Sequence, residues 1–530
     1  MSNISQPTIK FIDTFQQVST QNQYDSDESK IKIQMTISRA ASVYERIRNA
    51  IDYKDEHLLR KNAIERMLKR RFYTEDRKSN FGNLLITELI RAKYLPNNIV
   101  PERVIGEVEN IIEKHLNLLR RVAPNLLTKE RRKDANWILS VLATEIEHHL
   151  VPPTREDALV EYMYKIIRQD VDLAEDIVDP IERDLQVYIA IHRVLIKSDF
   201  GIIRFHLLDF LVPGWLSGDA DAIERFYNEF STIKDKIEYQ INHPFYDRLF
   251  RFVRQFSVIF IILKDIIDEY KENFTGLVNH PKQFEQEIVR HCNLRYQKAK
   301  LKLKRSYIRT IIYIFITKML LALALELPYE LFILGLTFYT PLLVNIIFHP
   351  LLMLFIASSI KLPSEKNTQT ITNLLMRIVY SEPHPGFLYR KKKVFNRSKV
   401  VEVVFNLLYA LTFLLSFGVL VWALGLLNFN IVSIIFFIFF LTAVSFFGLK
   451  LRNEVKELVI VNERDSFFSA LLNLFTLPIL RVGQWLSAKV PKINVFLFIF
   501  DFIIEAPFKI FIEVVEDWIT YQKEKKDEIY

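Results

Sequence analysis

Charged residues recur at helical spacing in the segment FDFIIEAPFKIFIEVVEDW, which begins at residue 500. They follow one another at steps of four, four, four and three, and they are Asp501, Glu505, Lys509, Glu513 and Glu516. At about 100° per residue these charges share one face of a helix, and the opposite face carries no charge. The pattern is typical of a helix that lies along a membrane surface with its charged face in water.

Two alternatives are open for this segment. As a membrane span it would bury Asp501 and Glu505 in hydrocarbon, at about 3 kcal/mol each on insertion scales. As a soluble helix it would pack its apolar face on the rest of the protein or on a second copy of the chain. The surface helix involves the smallest cost, and we expect it for the C-terminal part of the chain.

A second group of polar residues lies inside apolar stretches. Lys318 follows Arg309 by nine residues, which places it near the middle of an apolar run. Asn345 and His349 lie in the next apolar run and are its candidate partners. A lysine within a membrane span indicates a functional site unless its side chain extends to the membrane surface. The sequence therefore predicts an intramembrane polar site formed by Lys318, Asn345 and His349.

Basic residues between two apolar stretches form a third candidate site. The segment FLYRKKKVFNRSK contains four consecutive cations, Arg390, Lys391, Lys392 and Lys393. Each basic residue close to an anionic bilayer contributes about 1 kcal/mol of attraction. We expect these four side chains to contact anionic lipid headgroups.

Motifs for catalysis and for cofactor binding are missing from the sequence. It contains no G-x-G or G-x-x-x-x-G-K-[ST] pattern, and its single cysteine, Cys292, cannot form a disulfide within the chain. The motif TEIEHHL places Glu145 and His148 three residues apart, but a di-iron bundle needs two such pairs, and we expect an exposed pair here. We therefore expect no cofactor, no metal and no nucleic-acid partner, and enzymatic activity is not indicated.

The second half of the chain carries two long apolar hairpins. The first divides at Pro328 into spans of about 308–326 and 331–357, and the second divides at the sequence NFN into about 403–427 and 431–449. Each piece approaches the roughly 20 residues that cross a hydrocarbon core. No proline lies between Pro281 and Pro328, so one continuous rod-like helix of about 70 Å is expected to lead into the first span.

The distribution of basic residues predicts the orientation of these spans. Residues 288–309 contain eight Lys or Arg, the loop 361–399 contains nine, and residues 450–464 contain four. The sequences ELPYE and NFN, which form the other two connections, contain none. Because basic loops stay in the cytoplasm, both termini and the 361–399 loop are predicted to be cytoplasmic.

Helical periodicity extends over the first half of the chain as well. The run PERVIGEVENIIEKHLNLLRRV repeats apolar residues on one face, and no two-residue alternation is sustained anywhere. The predicted fold is therefore all-α. It comprises a disordered tail over 1–30, a cytoplasmic helical domain over 31–300, a transmembrane domain over 301–450, and amphipathic membrane-surface helices with a tail over 451–530.

These features favour a polytopic membrane protein that acts as a membrane-anchored scaffold or adaptor. Its expected partners are the lipid bilayer with its anionic headgroups, proteins bound through the cytoplasmic domain, and a second copy of the chain. A transporter or channel component that uses Lys318 and His349 is the alternative, and an intramembrane enzyme is a third. A transporter would bring many polar groups together at mid-bilayer, which distinguishes it from a scaffold.

Overall fold

A computed structural model describes the chain over nine segments. These are residues 4–20, 28–33, 56–74, 80–123, 128–171, 179–335, 339–381, 399–460 and 467–489. Within them the regular structure is helical, apart from one isolated bridge between Lys30 and Pro101. The predicted all-α fold is confirmed.

The described residues form two compact units, 4–254 and 255–489, and each has its own packing. Nine helices lie entirely within the first unit: α1 (Gln6–Thr20), α2 (Glu56–Thr74), α3 (Phe81–Arg91), α4 (Arg103–Val122), α5 (Lys129–Leu150), α6 (Thr154–Ile167), α7 (Pro180–Leu195), α8 (Phe200–Leu211) and α9 (Ala220–Ile241). Helix α5 is the central element, because its side chains are buried on every side from Trp137 to Glu147. Helices α2, α4 and α8 pack around it.

The N-terminal segment differs from the prediction of a disordered tail. Residues 6–20 form α1, which packs on α6 through the buried rings of Phe11 and Phe15. The ring of Phe11 stacks on Tyr162 with 4.7 Å between centroids, and the Thr8 hydroxyl lies 2.6 Å from the Tyr162 hydroxyl. The polar composition of residues 1–30 concealed a short apolar face that is sufficient to hold one helix.

The second unit begins at residue 255, earlier than the predicted domain boundary near 300. Its helices are α10 (Tyr246–Tyr270, which contains the boundary), α11 (Phe274–Val278), α12 (Pro281–Leu321), α13 (Tyr339–Ser359), α14 (Glu365–Tyr380), α15 (Lys399–Leu426), α16 (Ile431–Lys456) and α17 (Phe467–Lys489). The earlier boundary has a physical cause, because α14 packs on α12 and the Tyr380 hydroxyl donates to the Val278 carbonyl at 2.6 Å.

Among the described residues, four helices of this unit are long and apolar enough to cross a membrane, as predicted. They are Pro281–Leu334, Thr340–Ser359, Val403–Leu426 and Ile431–Lys456. The first is a single helical segment of 54 residues, which is about 80 Å at 1.5 Å per residue. The predicted continuous helix from Pro281 into the first span is therefore present.

The prediction of a chain break at Pro328 is wrong. Beyond Leu321 the chain stays helical through a π-helical turn at Ala322–Glu326, an α-helical turn at Leu327–Tyr329 and a second π-helical turn at Glu330–Leu334. Proline lacks an N–H and its ring collides with the carbonyl four residues earlier in a regular α-helix. The π-helical turns on both sides of Pro328 widen the helix and leave room for the ring.

The first connection lies instead at Gly335, whose φ of 66° is the left-handed conformation that glycine adopts without strain. The second span accordingly begins at Tyr339, not near residue 331. The sequence ELPYE, expected to be a loop outside the membrane, is part of the first helix. Its two glutamates are therefore carried into the helix bundle.

The stretch 467–480, which lies in the part of the chain predicted to form membrane-surface helices, belongs to a longer helix, α17. The helix has 23 residues and packs against both α15 and α16. The Ser416 hydroxyl, halfway along α15, donates to the Phe475 carbonyl at 3.0 Å. Helix α17 therefore packs against the middle of α15.

The contact between α17 and α16 depends on one glycine. A β-carbon placed on Gly483 would lie 2.6 Å from Phe446 Cβ and still closer to the Thr442 carbonyl oxygen. Small residues at such positions allow membrane helices to approach closely. Gly418, on the outer face of α15, has no atom within 4 Å of the equivalent point and offers a matched control.

We expect Gly483→Ala to destabilise the purified protein in detergent by about 1–3 kcal/mol, because the added methyl group overpacks a helix contact. Gly418→Ala makes the same change in a helix without a steric clash and should be neutral or stabilising, since alanine is the better helix former. Thermal melting of both variants measures the difference. Equal effects at the two positions would contradict the packing of α17 on α16.

Candidate functional site

Lys318 lies in the apolar part of the first long helix and is 1% exposed. Its ammonium donates a hydrogen bond to Asn345 Oδ1 on α13 and lies 4.6 Å from the ring centroid of Phe440 on α16. The side chain therefore does not extend to the membrane surface. It points to the junction of α12, α13 and α16, where a charged group needs a partner.

The carboxamide of Asn345 connects Lys318 to a carboxylate. Asn345 is fully buried, and its Nδ2 donates to Glu326 Oε1 at 2.7 Å while its Oδ1 accepts from Lys318. The second carboxylate oxygen of Glu326 lies 3.5 Å from the Ser433 hydroxyl. One amide thus joins a cation to an anion, and both charged groups are 1% exposed.

A second carboxylate continues the network toward the start of α16. Asn430 Nδ2 donates to Glu330 Oε1 at 2.8 Å, and Asn430 Oδ1 accepts from the Ser433 backbone N–H at 2.8 Å. The latter bond is an N-cap, which satisfies one of the free donors at the start of a helix. Asn430 therefore caps α16 and holds Glu330 with the same side chain.

His349 lies one turn beyond Asn345 on α13 and is also buried. Its Nδ1 lies 3.2 Å from the Asn345 carbonyl oxygen and its Nε2 lies 3.0 Å from the Phe437 carbonyl oxygen. A neutral imidazole has a single N–H and donates to only one of these two acceptors. With its ring packed against Phe437 and Phe440, His349 ties α13 to α16.

The structure brings the predicted residues Lys318 and Asn345 into direct contact and places His349 beside them. The network formed by Lys318, Glu326, Glu330, Asn345, Asn430 and Ser433 is named here the buried polar network. The sequence analysis does not include its two glutamates, because it predicts a chain break at Pro328. Their spacing carried the signal, since Glu326 and Glu330 follow Lys318 by eight and twelve residues, or about two and three helical turns.

Each charged group of the buried polar network has a hydrogen-bond partner inside the network. An ammonium and a carboxylate in an apolar bundle are costly unless each is hydrogen-bonded and compensated. Here Asn345 provides both connections, and the ring of Phe440 covers the ammonium. The chemistry that this arrangement supports is a fixed interhelical link, or a proton or ion relay if the bundle opens.

Other predicted site residues lie elsewhere. Arg390, Lys391, Lys392 and Lys393, and the stripe Asp501, Glu505, Lys509, Glu513 and Glu516, lie outside the described residues. The expected exposed pair of Glu145 and His148 is wrong, because Glu145 is buried against Lys114 at 2.5 Å and His148 faces other histidines.

We expect Lys318→Met to destabilise the protein by about 3 kcal/mol, because it leaves the buried Glu326 without its countercharge. Glu326→Gln should also be destabilising, because it leaves the buried Lys318 without its compensating carboxylate. The double variant should lose less stability than the sum of the two single variants. The exposed pair Lys302–Glu454 joins the same helices α12 and α16 at 2.9 Å and is the control. Its Met and Gln variants should each change stability by less than about 1 kcal/mol.

The free energy of unfolding is measured in detergent, by heat or denaturant, for the wild type and the five variants. Additive effects of Lys318→Met and Glu326→Gln would show that the bridge through Asn345 does not couple them. An increase in stability in Lys318→Met would also contradict this coupling, because it would show that Lys318 has no compensating partner.

Comparison with protein-family models, with curated proteins and with solved structures found no match to this chain. Its function must therefore be argued from its own side chains. The most informative of these is the buried polar network, whose hydrogen bonds join three helices of the second unit.

Proposed function

We propose that the chain is a multi-pass membrane protein whose apolar helices anchor a helical scaffold or adaptor at the cytoplasmic face. The observation that carries this proposal is the closure of the buried polar network. Lys318 and Glu326 are both bound to Asn345, so these charges act as a link between helices in the resting structure. A membrane half built in this way serves attachment.

The outer surfaces of the candidate spans support a position in lipid. Large apolar side chains are exposed along all four helices, among them Phe332 at 86% and Ile431 at 72%. In water such a surface would be strongly unfavourable, whereas hydrocarbon is a suitable solvent for it. The same exposed apolar surface can also pack against a second copy of the chain.

The first unit offers a surface for a protein partner. A groove of about 530 Å³ is lined by the exposed apolar side chains of Ile181 and Phe210, and by Arg168, Asp184 and Asp209. Ile181 is 65% exposed and Phe210 is 54% exposed. Apolar residues surrounded by charged ones are typical of protein interaction sites.

Orientation follows from the basic segments. Both termini and the 361–399 loop lie in the cytoplasm, and Arg390, Lys391, Lys392 and Lys393 contact anionic headgroups from that side. The stripe from Asp501 to Glu516 keeps its charged face in the cytoplasm.

Reporter fusions after residues 336, 385, 429 and 530 test this topology. The expected locations are outside, inside, outside and inside, because the basic loops remain cytoplasmic. A cytoplasmic reporter at 336 or 429 would contradict the two hairpins. An external reporter at 530 would mean that α17 or the stripe crosses the membrane.

The scaffold function is tested in cells that depend on the chain. We expect Ile181→Glu/Phe210→Glu to abolish rescue, because the two charges disrupt the apolar groove, while protein level and membrane location stay unchanged. Phe200→Glu is the control, since Phe200 is equally exposed at 54% but does not line the groove. Full rescue by the groove variant would contradict a partner at this surface.

A transporter is the second candidate, and one observation favours it. The buried polar network gathers Lys318, two glutamates and two asparagines at the junction of three helices. Intramembrane ionisable groups of this kind line proton and ion pathways in other proteins. A rearrangement that separates Lys318 from Glu326 would expose both to a permeating ion.

Ion flux distinguishes the two candidates. Proteoliposomes with the wild-type chain are challenged with gradients of K⁺, Na⁺, Cl⁻ and protons. On the scaffold proposal they leak no faster than protein-free vesicles, and Lys318→Met/Glu326→Gln still rescues dependent cells. A wild-type flux that this double variant abolishes would establish the transporter instead.

A further inference from the structure

Two helices of the second unit bring two carboxylates and an imidazole together. Glu287 and His291 lie four residues apart on α12, and Glu269 lies in the last turn of α10. One side-chain N or O atom from each of the three lies within 4.8 Å of those from the other two. Neither the scaffold proposal nor the buried polar network uses these residues, which are named here the carboxylate–histidine group.

A separate ion pair joins the two helices next to this group. Arg295, one turn beyond His291 on α12, donates from Nη2 to Asp265 Oδ1 at 2.6 Å. Asp265 in turn lies one turn before Glu269 on α10. This pair includes none of the three side chains of the carboxylate–histidine group. A contact one turn away therefore holds α10 against α12 and positions the group.

The imidazole of His291 faces two groups that make opposite demands on it. Only 6% of its side chain is exposed, and its Nε2 lies 3.2 Å from Glu269 Oε2 and 3.1 Å from Arg290 Nη2. A carboxylate oxygen needs a hydrogen-bond donor, whereas a guanidinium N–H needs an acceptor. A single ring nitrogen cannot be both, so one of these two contacts is unsatisfied in either protonation state of Nε2.

A metal ion between the ring nitrogen and the carboxylates would satisfy all three side chains. With bonds of about 2.0–2.1 Å, two ligands of a tetrahedral Zn²⁺ lie about 3.3 Å apart. His291 Nε2 lies 3.2 Å from Glu269 Oε2 and 3.8 Å from Glu287 Oε2, which is close to this geometry. A neutral imidazole with two carboxylates is also a donor set for zinc and for neighbouring transition metals.

Arg290 supplies the positive charge in the structure as it stands. Its Nε donates to Glu287 Oε2 at 2.7 Å, and its Nη2 donates to Glu269 Oε1. The Arg290 side chain is 42% exposed, so its guanidinium can turn into solvent without the burial of a charge. An ion that enters the group would therefore replace one positive charge by two beside the same carboxylates.

We propose that the carboxylate–histidine group binds a divalent transition-metal ion such as Zn²⁺, with Glu269, Glu287 and His291 as its protein ligands and water in the remaining position. Arg290 leaves the group when the ion binds. The ion cross-links α10 to α12, the helix that continues into the first candidate span. Lys318 follows His291 by 27 residues, about 40 Å of helix, so the ion lies outside the apolar part of α12. The sequence motifs that led us to expect no metal do not include this group, because its ligands come from two helices.

The test is a titration of the purified full-length chain in detergent, with its affinity tag removed, with Co²⁺ and with Zn²⁺. We expect the visible absorption of bound Co²⁺ with one ion per chain, and Zn²⁺ should displace it and raise the melting temperature. The ligand variants Glu269→Gln, Glu287→Gln and His291→Asn should each weaken binding by about tenfold or more. Glu285→Gln, which changes an exposed carboxylate of the same helix outside the group, should bind as the wild type does.

Arg290→Met distinguishes a metal site from a group that serves only as an ion-pair network. If the guanidinium competes with the ion, its removal should tighten Co²⁺ binding by about fivefold, since two partly exposed ion pairs no longer have to be broken. Zn²⁺ should then raise the melting temperature of the variant by more than that of the wild type. If the carboxylates serve only Arg290, the variant should melt at a lower temperature and bind no ion, which would overturn the proposal.

A cysteine at position 291 guards against a loss of binding through misfolding. In a Cys292→Ser chain, which lacks the single native thiol, His291→Cys retains a metal ligand and should add a thiolate charge-transfer absorption to bound Co²⁺. That absorption appears only if residue 291 coordinates the ion. The proposal is overturned by the absence of binding in the wild type, by wild-type affinity in the three ligand variants, or by unchanged affinity in Arg290→Met.

Discussion

A cation and an anion in an apolar helix bundle need compensating charge and hydrogen bonds from inside the protein. Asn345 makes a hydrogen bond to both Lys318 and Glu326. Its amide accepts from one and donates to the other. Because Lys318 and Glu326 belong to the first long helix and Asn345 to α13, the bond pair fixes the register of these two helices. Ser433 and Asn430 extend the same restraint to α16 through the two glutamates.

The first unit meets the same demand in a different way. Glu145 is buried in its core, where Lys114 contacts it at 2.5 Å, Trp215 Nε1 donates to it at 3.0 Å, and the Lys114 ammonium lies 4.2 Å from the Trp215 ring centroid. This buried carboxylate has its partners within the protein.

Much of the membrane half could be predicted from composition, since α15 and α16 lie almost where their apolar runs place them. The contact between Lys318 and Asn345 could be anticipated as well, because a buried ammonium needs a partner on a neighbouring helix. Glu326 precedes Pro328 and follows Lys318 by about two helical turns, so its spacing carried a signal. The place of Glu330 could not be predicted, since it depends on whether the helix continues through Pro328. That outcome is decided by π-helical turns, which depend on packing and leave no periodic signal in the sequence.

The contacts among three buried histidines and the packing of α17 could not be predicted from the sequence for a related reason. His148, His192 and His206 are separated by 44 and 14 residues, and only the packing of α5, α7 and α8 brings them together. Helix α17 depends on Gly483, whose missing side chain is informative only once Thr442 is known to face it. The hydrophobic periodicity of a segment predicts whether it is helical, whereas contacts between helices far apart in sequence are known only from the three-dimensional structure.

The location of Asn345 also bears on how the chain enters the bilayer during synthesis. A first span inserted by itself would present Lys318 and Glu326 to lipid, at about 3 kcal/mol each. The amide that links them arrives only with the next span, about 27 residues later along the chain. Insertion of the two helices together, as a preassembled hairpin, therefore avoids the free-energy cost of exposing Lys318 and Glu326 to lipid. Biogenesis of this protein should then have a waiting step, in which the first span remains shielded until the second has been synthesised.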